Sequence, residues 1–263
     1  MNLDPDIRRT AYLRSSQVTL KPYYETRNGM LNSLIEGEYG TDIQKSAGSG
    51  AFSGSKCIFC IDEGLPPDKM PAGIHVPGSL IGWENADAVN FIKEHGVVEI
   101  TSHPDCAAGK KYAHDYGLNE DQADAIARQR IQSIARQANI RFVHIVPSKL
   151  RRELGFHPAR ICYYIGSQYF DPRALNMPQG FMVSRRFLSQ EIAQNAALLA
   201  FQIASGPKGY DTLISDHPFK QFMFIAVGAR THDRYAAEAL MAELEDVTRA
   251  CGKRAIVRGL SEF

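Results

Sequence analysis

Short strand-like runs that alternate with helix-patterned segments constrain this chain more than any other feature. The runs are C-I-F-C-I at 57–61, V-V-E-I-T at 97–101, R-F-V-H-I-V at 141–146, A-R-I-C-Y-Y-I at 159–165, Phe222–Val227 and Ala255–Arg258. C-I-F-C-I is continuous rather than alternating, as expected of a strand buried on both faces. Between the runs lie helical patterns. One spans 85–95 with Gly96 as its stop. A second spans 120–138 behind Asn119, with Gln122 spaced as in a capping box and an apolar stripe of Ile126, Ile131, Ile134 and Ala138. A third, strongly apolar, spans 188–204, and a fourth spans 232–250 with Gly252 as its stop. Strand, helix and strand in repeated order predict an α/β fold, a mainly parallel sheet flanked by helices that ends in a β-α-β extension. The sequence shows no internal repeat.

Residues 1–55 lack this order. A short helix is expected near Asn28–Glu36, followed by the flexible run S-A-G-S-G-A-F-S-G-S at 46–55. The predicted organisation is therefore an N-terminal arm over 1–55 and a single α/β domain over 56–263. The composition, 44% hydrophobic and 22% charged with a formal net charge of +1, is that of a soluble globular protein. It supplies no global field for nucleic acid or an acidic membrane, and neither partner is expected. The most apolar window, Phe222–Val227, is too short to cross a bilayer, and the N-terminus lacks the apolar core of a signal peptide. Five cysteines, an odd and small number, argue against a disulfide framework and for reduced thiols in a cytoplasmic protein.

Among reduced thiols, clusters point to metal or catalysis. Open parallel sheets place their sites beyond the carboxyl ends of the strands. Cys60 and Asp62 stand where the first buried strand runs out, and His103 and Cys106 stand just after the next. If the two strands are neighbours, one imidazole and two thiols converge. That donor set suits zinc, and three protein ligands leave a fourth position for water, as in catalytic sites.

Cys60-x-Asp62 at a strand end, followed by His103-x-x-Cys106 and the small residues Ala107, Ala108 and Gly109, resembles the beta-class carbonic anhydrases over roughly residues 55–170. The resemblance implies Zn2+ held by Cys60, His103 and Cys106, with Asp62 as the catalytic residue that orients the metal's water or swings in as a fourth ligand. It implies hydration of carbon dioxide to bicarbonate by a metal-bound hydroxide, a small-molecule substrate, and a homodimer or higher homo-oligomer. Two alternatives stay open: a structural or regulatory zinc on the same scaffold, and hydrolysis of another small heterocumulene such as carbonyl sulfide or carbon disulfide. An α/β domain without metal is a third.

The chain departs from the family at several points. The family's arginine falls at Gly64, so either Asp62 closes the site or a cation from elsewhere, Lys69, Lys110 or Arg27, stands in for it. I-H-V-P-G-S-L-I-G replaces the family's Arg-Asn-Ala-Gly segment, Ser102 replaces a glycine, and the stretch between the two motifs is short.

Other polar residues default to structure. Cys57 lies three residues from Cys60 in a strand, faces the other way and is expected in the core. Core packing suffices for Cys162 and Cys251. Glu63, Asp68 and Asp105 read as solvated loop carboxylates, and S-K-L-R-R-E-L at 148–154 reads as a solvated basic cluster. The remaining histidines have no ligand-like pairing, and Tyr163, Tyr164, Tyr169 and Phe170 read as sheet core or interface.

Overall fold

The computed structural model describes residues 56–65, 73–150, 152, 154–157, 159–167, 170–172, 177–178, 180–209, 221–229 and 234–261. The expected arm over 1–55 and its helix lie outside these residues.

Two four-stranded sheets carry the fold, and every neighbouring pair of strands is parallel. In the first, β1 (Lys56–Phe59) lies between β2 (Gly73–His75) and β3 (Val97–Ser102), and β3 pairs with β4 (Arg141–His144). In the second, β5 (Ile161–Ile165) lies between β6 (Phe181–Val183) and β7 (Phe222–Gly228), and β7 pairs with β8 (Ala255–Ser261). Parallel neighbours need long crossovers. Helices α1 (Asn85–Glu94), α2 (Ala107–Asp115) and α3 (Ala123–Ala138) serve the first sheet, and α4 (Gln190–Ser205) and α5 (Ala237–Cys251) serve the second. The expected α/β class with parallel sheets and flanking helices is therefore present.

Both sheets share one connectivity: strand, edge strand, helix, strand, helical crossover, strand. This repetition is one of connectivity, and the sequence shows no internal repeat. It has no counterpart in the sequence because connectivity fixes only where apolar strands fall, not which apolar residues fill them. The two units meet where β2 lies against β6. Ser184 N–H donates to His75 O at 3.1 Å, His75 N–H donates to Ser184 Oγ at 2.8 Å, and Met182 N–H donates to Ile61 O at 3.1 Å.

Local chemistry explains the helix ends. Ser189 caps α4 by accepting from Ile192 N–H at 3.3 Å. Gly96 and Gly252 follow α1 and α5 with φ of 61° and 63°, a region glycine enters without steric cost. The helix expected over 120–138 opens as a short 3-10 turn, Glu120–Gln122, with Asn119 accepting from Asp121 N–H, before α3 proper begins. Three elements were not expected: β2, β6 and α2. Three-residue strands are too short to show a period, and β2 stands among Pro66, Pro67, Pro71 and Pro77.

Among the described residues no helix is long and apolar enough to cross a membrane. The buried apolar side chains of both sheets form one continuous cluster, in which Tyr163 and Tyr164 are fully buried. Because that cluster spans both units, damage in the second sheet should be felt in the first. Phe224, buried in the middle of β7, touches the ring of Phe222 edge-on at 5.1 Å between centroids. Phe224→Ala should cost about 3–5 kcal/mol and shift one common transition in denaturant followed by circular dichroism. A separate, unshifted transition for the first sheet would contradict a shared core.

Candidate metal centre

The chain leaves β1 for β2 on one side and returns past it to β3 on the other, so a crevice opens beyond the carboxyl ends of β1 and β3. Cys60 directly follows β1, His103 directly follows β3, and Cys106 is the N-cap of α2. Each is buried, at 3%, 2% and 4% exposure. Their ligand atoms all lie within 4.8 Å of one another, and the three could hold a metal ion.

The geometry fits a tetrahedral ion. Two sulfurs bound to one zinc at about 2.3 Å lie roughly 3.8 Å apart at the tetrahedral angle, and Cys60 Sγ and Cys106 Sγ are 3.8 Å apart. His103 Nδ1 lies 2.9 Å from Pro104 O, which accepts its proton and leaves Nε2 as the atom available to a metal. That Nε2 is buried with no hydrogen-bond partner among the described residues. Unpaired buried polar atoms are costly, and coordination would satisfy this one. Gly78 N–H donates to Cys60 Sγ at 3.3 Å, which favours the thiolate.

The three groups also set one another's protonation. The thiol–thiol hydrogen bond and burial push Cys60 well up. The same bond, with the His103 imidazolium, holds Cys106 well down against burial, so a single proton is shared between the sulfurs. Burial alone would lower His103, but the Cys106 thiolate and the Asp62 carboxylate outweigh it and raise the imidazole to about 9.

Asp62, two residues past Cys60, is buried and gripped by Arg152. Nε donates to Oδ1 at 2.9 Å and Nη2 to Oδ2 at 2.6 Å, a two-pronged fork. Arg152 Nη1 also donates to Asp105 Oδ2 at 2.9 Å, and Gly64 N–H donates to Asp62 Oδ1 at 2.7 Å. Burial would raise the Asp62 carboxyl, but His103 and Arg152 outweigh it and hold it well below the usual range.

Arg152 answers the missing arginine of the sequence motif. A Cβ on residue 64 would lie 2.4 Å from Arg152 Cγ, so the stem of Arg152 fills the space that a side chain at 64 would need. Of the three substitutes expected, Lys110 pairs instead with Asp105, and Arg27 and Lys69 lie outside the described residues.

Several expectations are corrected here. S-K-L-R-R-E-L is not simply a solvated cluster: Ser148 and Lys149 are exposed, but Arg152 is only 6% exposed. Asp105 is buried and accepts from Arg152, Lys110 and Gly155 N–H. Glu63 is also buried, 3.1 Å from His157 Nδ1, and with Asp62 these two form a second close group of possible ligands. The Arg152 charge on Asp62 disfavours a cation there. Asp68 lies outside the described residues. Cys57, Cys162 and Cys251 stand outside both groups.

Comparison of the chain with family profiles, curated proteins and solved structures finds no match. The sequence signal that failed for Arg152 is instructive. A lone buried arginine on a loop has no periodic signature, and its only trace was the glycine at 64.

Coordination needs His103 neutral and both sulfurs as thiolates, so metal competes with protons. Zinc affinity should therefore rise with pH from 6 through the His103 value of about 9 and go on rising above it, because the raised Cys60 thiol still holds its proton there, measured by competition with a chelator of known affinity. Affinity independent of pH would contradict the assigned ligands.

Proposed function

We propose that the protein is a zinc-dependent enzyme that hydrates carbon dioxide to bicarbonate, in the manner of the beta-class carbonic anhydrases that its two motifs resemble. One observation carries the reading. Cys60, His103 and Cys106 converge at tetrahedral spacing beside an Asp62 whose two oxygens are both engaged by Arg152.

Bound zinc would supply Lewis acidity, which brings the deprotonation of a water molecule close to neutral pH. The protein residues then divide the remaining work. Cys60 and Cys106 would hold the ion with two negative charges and His103 with a neutral nitrogen, three protein ligands as in catalytic rather than closed sites. Asp62, kept ionised by Arg152, would accept a hydrogen bond from a water molecule at the site and orient it towards the carbon of the substrate. The fork from Arg152 also disfavours Asp62 as a fourth ligand, since coordination would mean giving up charge-assisted bonds at 2.6 and 2.9 Å. This favours an open catalytic site over a closed structural one.

Stopped-flow carbon dioxide hydration on protein of known zinc content tests the proposal, with about one zinc per chain and activity lost on chelation as the expected result. Arg152→Ala should lower kcat/KM by roughly 10- to 100-fold, as expected for a partner that orients a site group. Zinc-loaded protein without hydration activity would refute the reaction.

A further inference from the structure

The segment joining β2 to α1 contains the longest left-handed run of backbone among the described residues. Gly78, Ser79 and Leu80 follow one another with φ of 55°, 52° and 73°. Glycine adopts this region freely, but Ser79 and Leu80 do so at a cost, and such residues persist only where their surroundings fix them. The surroundings do so here. Ser79 N–H donates to Val76 O at 3.1 Å, and Arg130 on α3 donates to Ile81 O at 2.8 Å and Trp83 O at 2.6 Å. Leu80 is fully buried.

This turn lies against the metal centre. Gly78 N–H is the donor to Cys60 Sγ, and a Cβ on Gly78 would lie 3.0 Å from Cβ of Ala108, in the first turn of the helix that Cys106 opens. Ser79 is 1% exposed, and its Oγ has no hydrogen-bond partner among the described residues. A strained backbone therefore holds a desolvated, unpaired hydroxyl one residue from the N–H that donates to Cys60 Sγ. Stability alone explains neither feature: alanine would fit the same volume without an unsatisfied group, and glycine would remove the strain.

We propose that Ser79 is a substrate-contacting residue, whose hydroxyl donates a hydrogen bond to an oxygen of the bicarbonate formed at the metal centre. The inference rests on the reading of the site given above. An anionic oxygen is the partner that gains most from a buried neutral donor, and carbon dioxide gains charge on its oxygens only as it becomes bicarbonate. The bond therefore strengthens along the reaction and favours catalysis over simple substrate binding.

Ser79→Ala and Ser79→Gly, each zinc-loaded, test this. The glycine variant suits the left-handed backbone, so the experiment survives a failure of the alanine variant to fold. Expected are unchanged zinc content, a thermal midpoint equal to wild type or higher by roughly 2–4 °C, and kcat/KM for bicarbonate dehydration lower by roughly 10- to 100-fold. Bicarbonate titrated into cobalt(II)-substituted protein, followed by its visible spectrum, should show a matching loss of affinity. Wild-type activity and bicarbonate affinity in both variants would overturn the role of Ser79 and leave the zinc enzyme standing. A lower midpoint with loss of zinc would make the hydroxyl structural and overturn it too. Metal-loaded wild type with neither activity nor bicarbonate binding would instead remove the reading underneath.

Discussion

The fork that Arg152 makes with Asp62 holds the strand ends of the first sheet in register. Asp62 leaves β1 and Asp105 leaves β3, and one guanidinium ties both carboxylates to the loop after β4. Burying such charges is expensive unless each is paired and hydrogen-bonded, and removing one partner typically costs about 3–5 kcal/mol. Here the pairing is close to complete. Asp62 has Arg152 and Gly64 N–H, and Asp105 has Arg152, Lys110 and Gly155 N–H. Burial would raise the Asp105 carboxyl, yet these donors bring it to about 2. A carboxyl lowered in this way stabilises the fold above its ordinary range and loses that contribution as the pH falls towards 2. The cluster is thus both the strut of the site and the origin of its acid sensitivity.

The same strut governs the chemistry. With Asp62 ionised and turned towards Arg152, the three softer groups are left to face one another, and their spacing is that of ligands around one ion. The second sheet offers a contrast built on the same connectivity. Matching the registers of β1 and β5 through their edge strands sets Ile165 where the first sheet has Cys60. Matching β3 with β7 likewise sets Gly228 where the first has His103. A Cβ at Gly228 would lie 2.4 Å from the backbone nitrogen of Ala237, so this position accepts no ligand side chain. Among the described residues, the Cys60, His103 and Cys106 group that could hold a metal therefore belongs to one unit. The other shares its core and pins His75 and Ile61 through Ser184 and Met182.

The legible parts of this protein were those with local physical signatures. Buried strands announced themselves as apolar runs, helix ends as glycines and caps, and the candidate ligands as Cys-x-Asp and His-x-x-Cys at two strand ends. What stayed hidden depends on contacts distant in sequence. Arg152 reaches Asp62 across 90 positions, and Glu63 meets His157 across 94. Neither residue carries a mark of burial in its own neighbourhood, so the rule that charged residues stay solvated misplaced them. The edge strands β2 and β6 were too short for periodicity, and the left-handed run at Ser79 follows from packing rather than residue type.

The central claim is a mixed sulfur and nitrogen site open at one position, and zinc X-ray absorption on the loaded protein tests it most directly. The account predicts two sulfur neighbours at about 2.3 Å with one nitrogen and one oxygen at about 2.0–2.1 Å. A shell of four sulfurs, or one containing no sulfur, would contradict it.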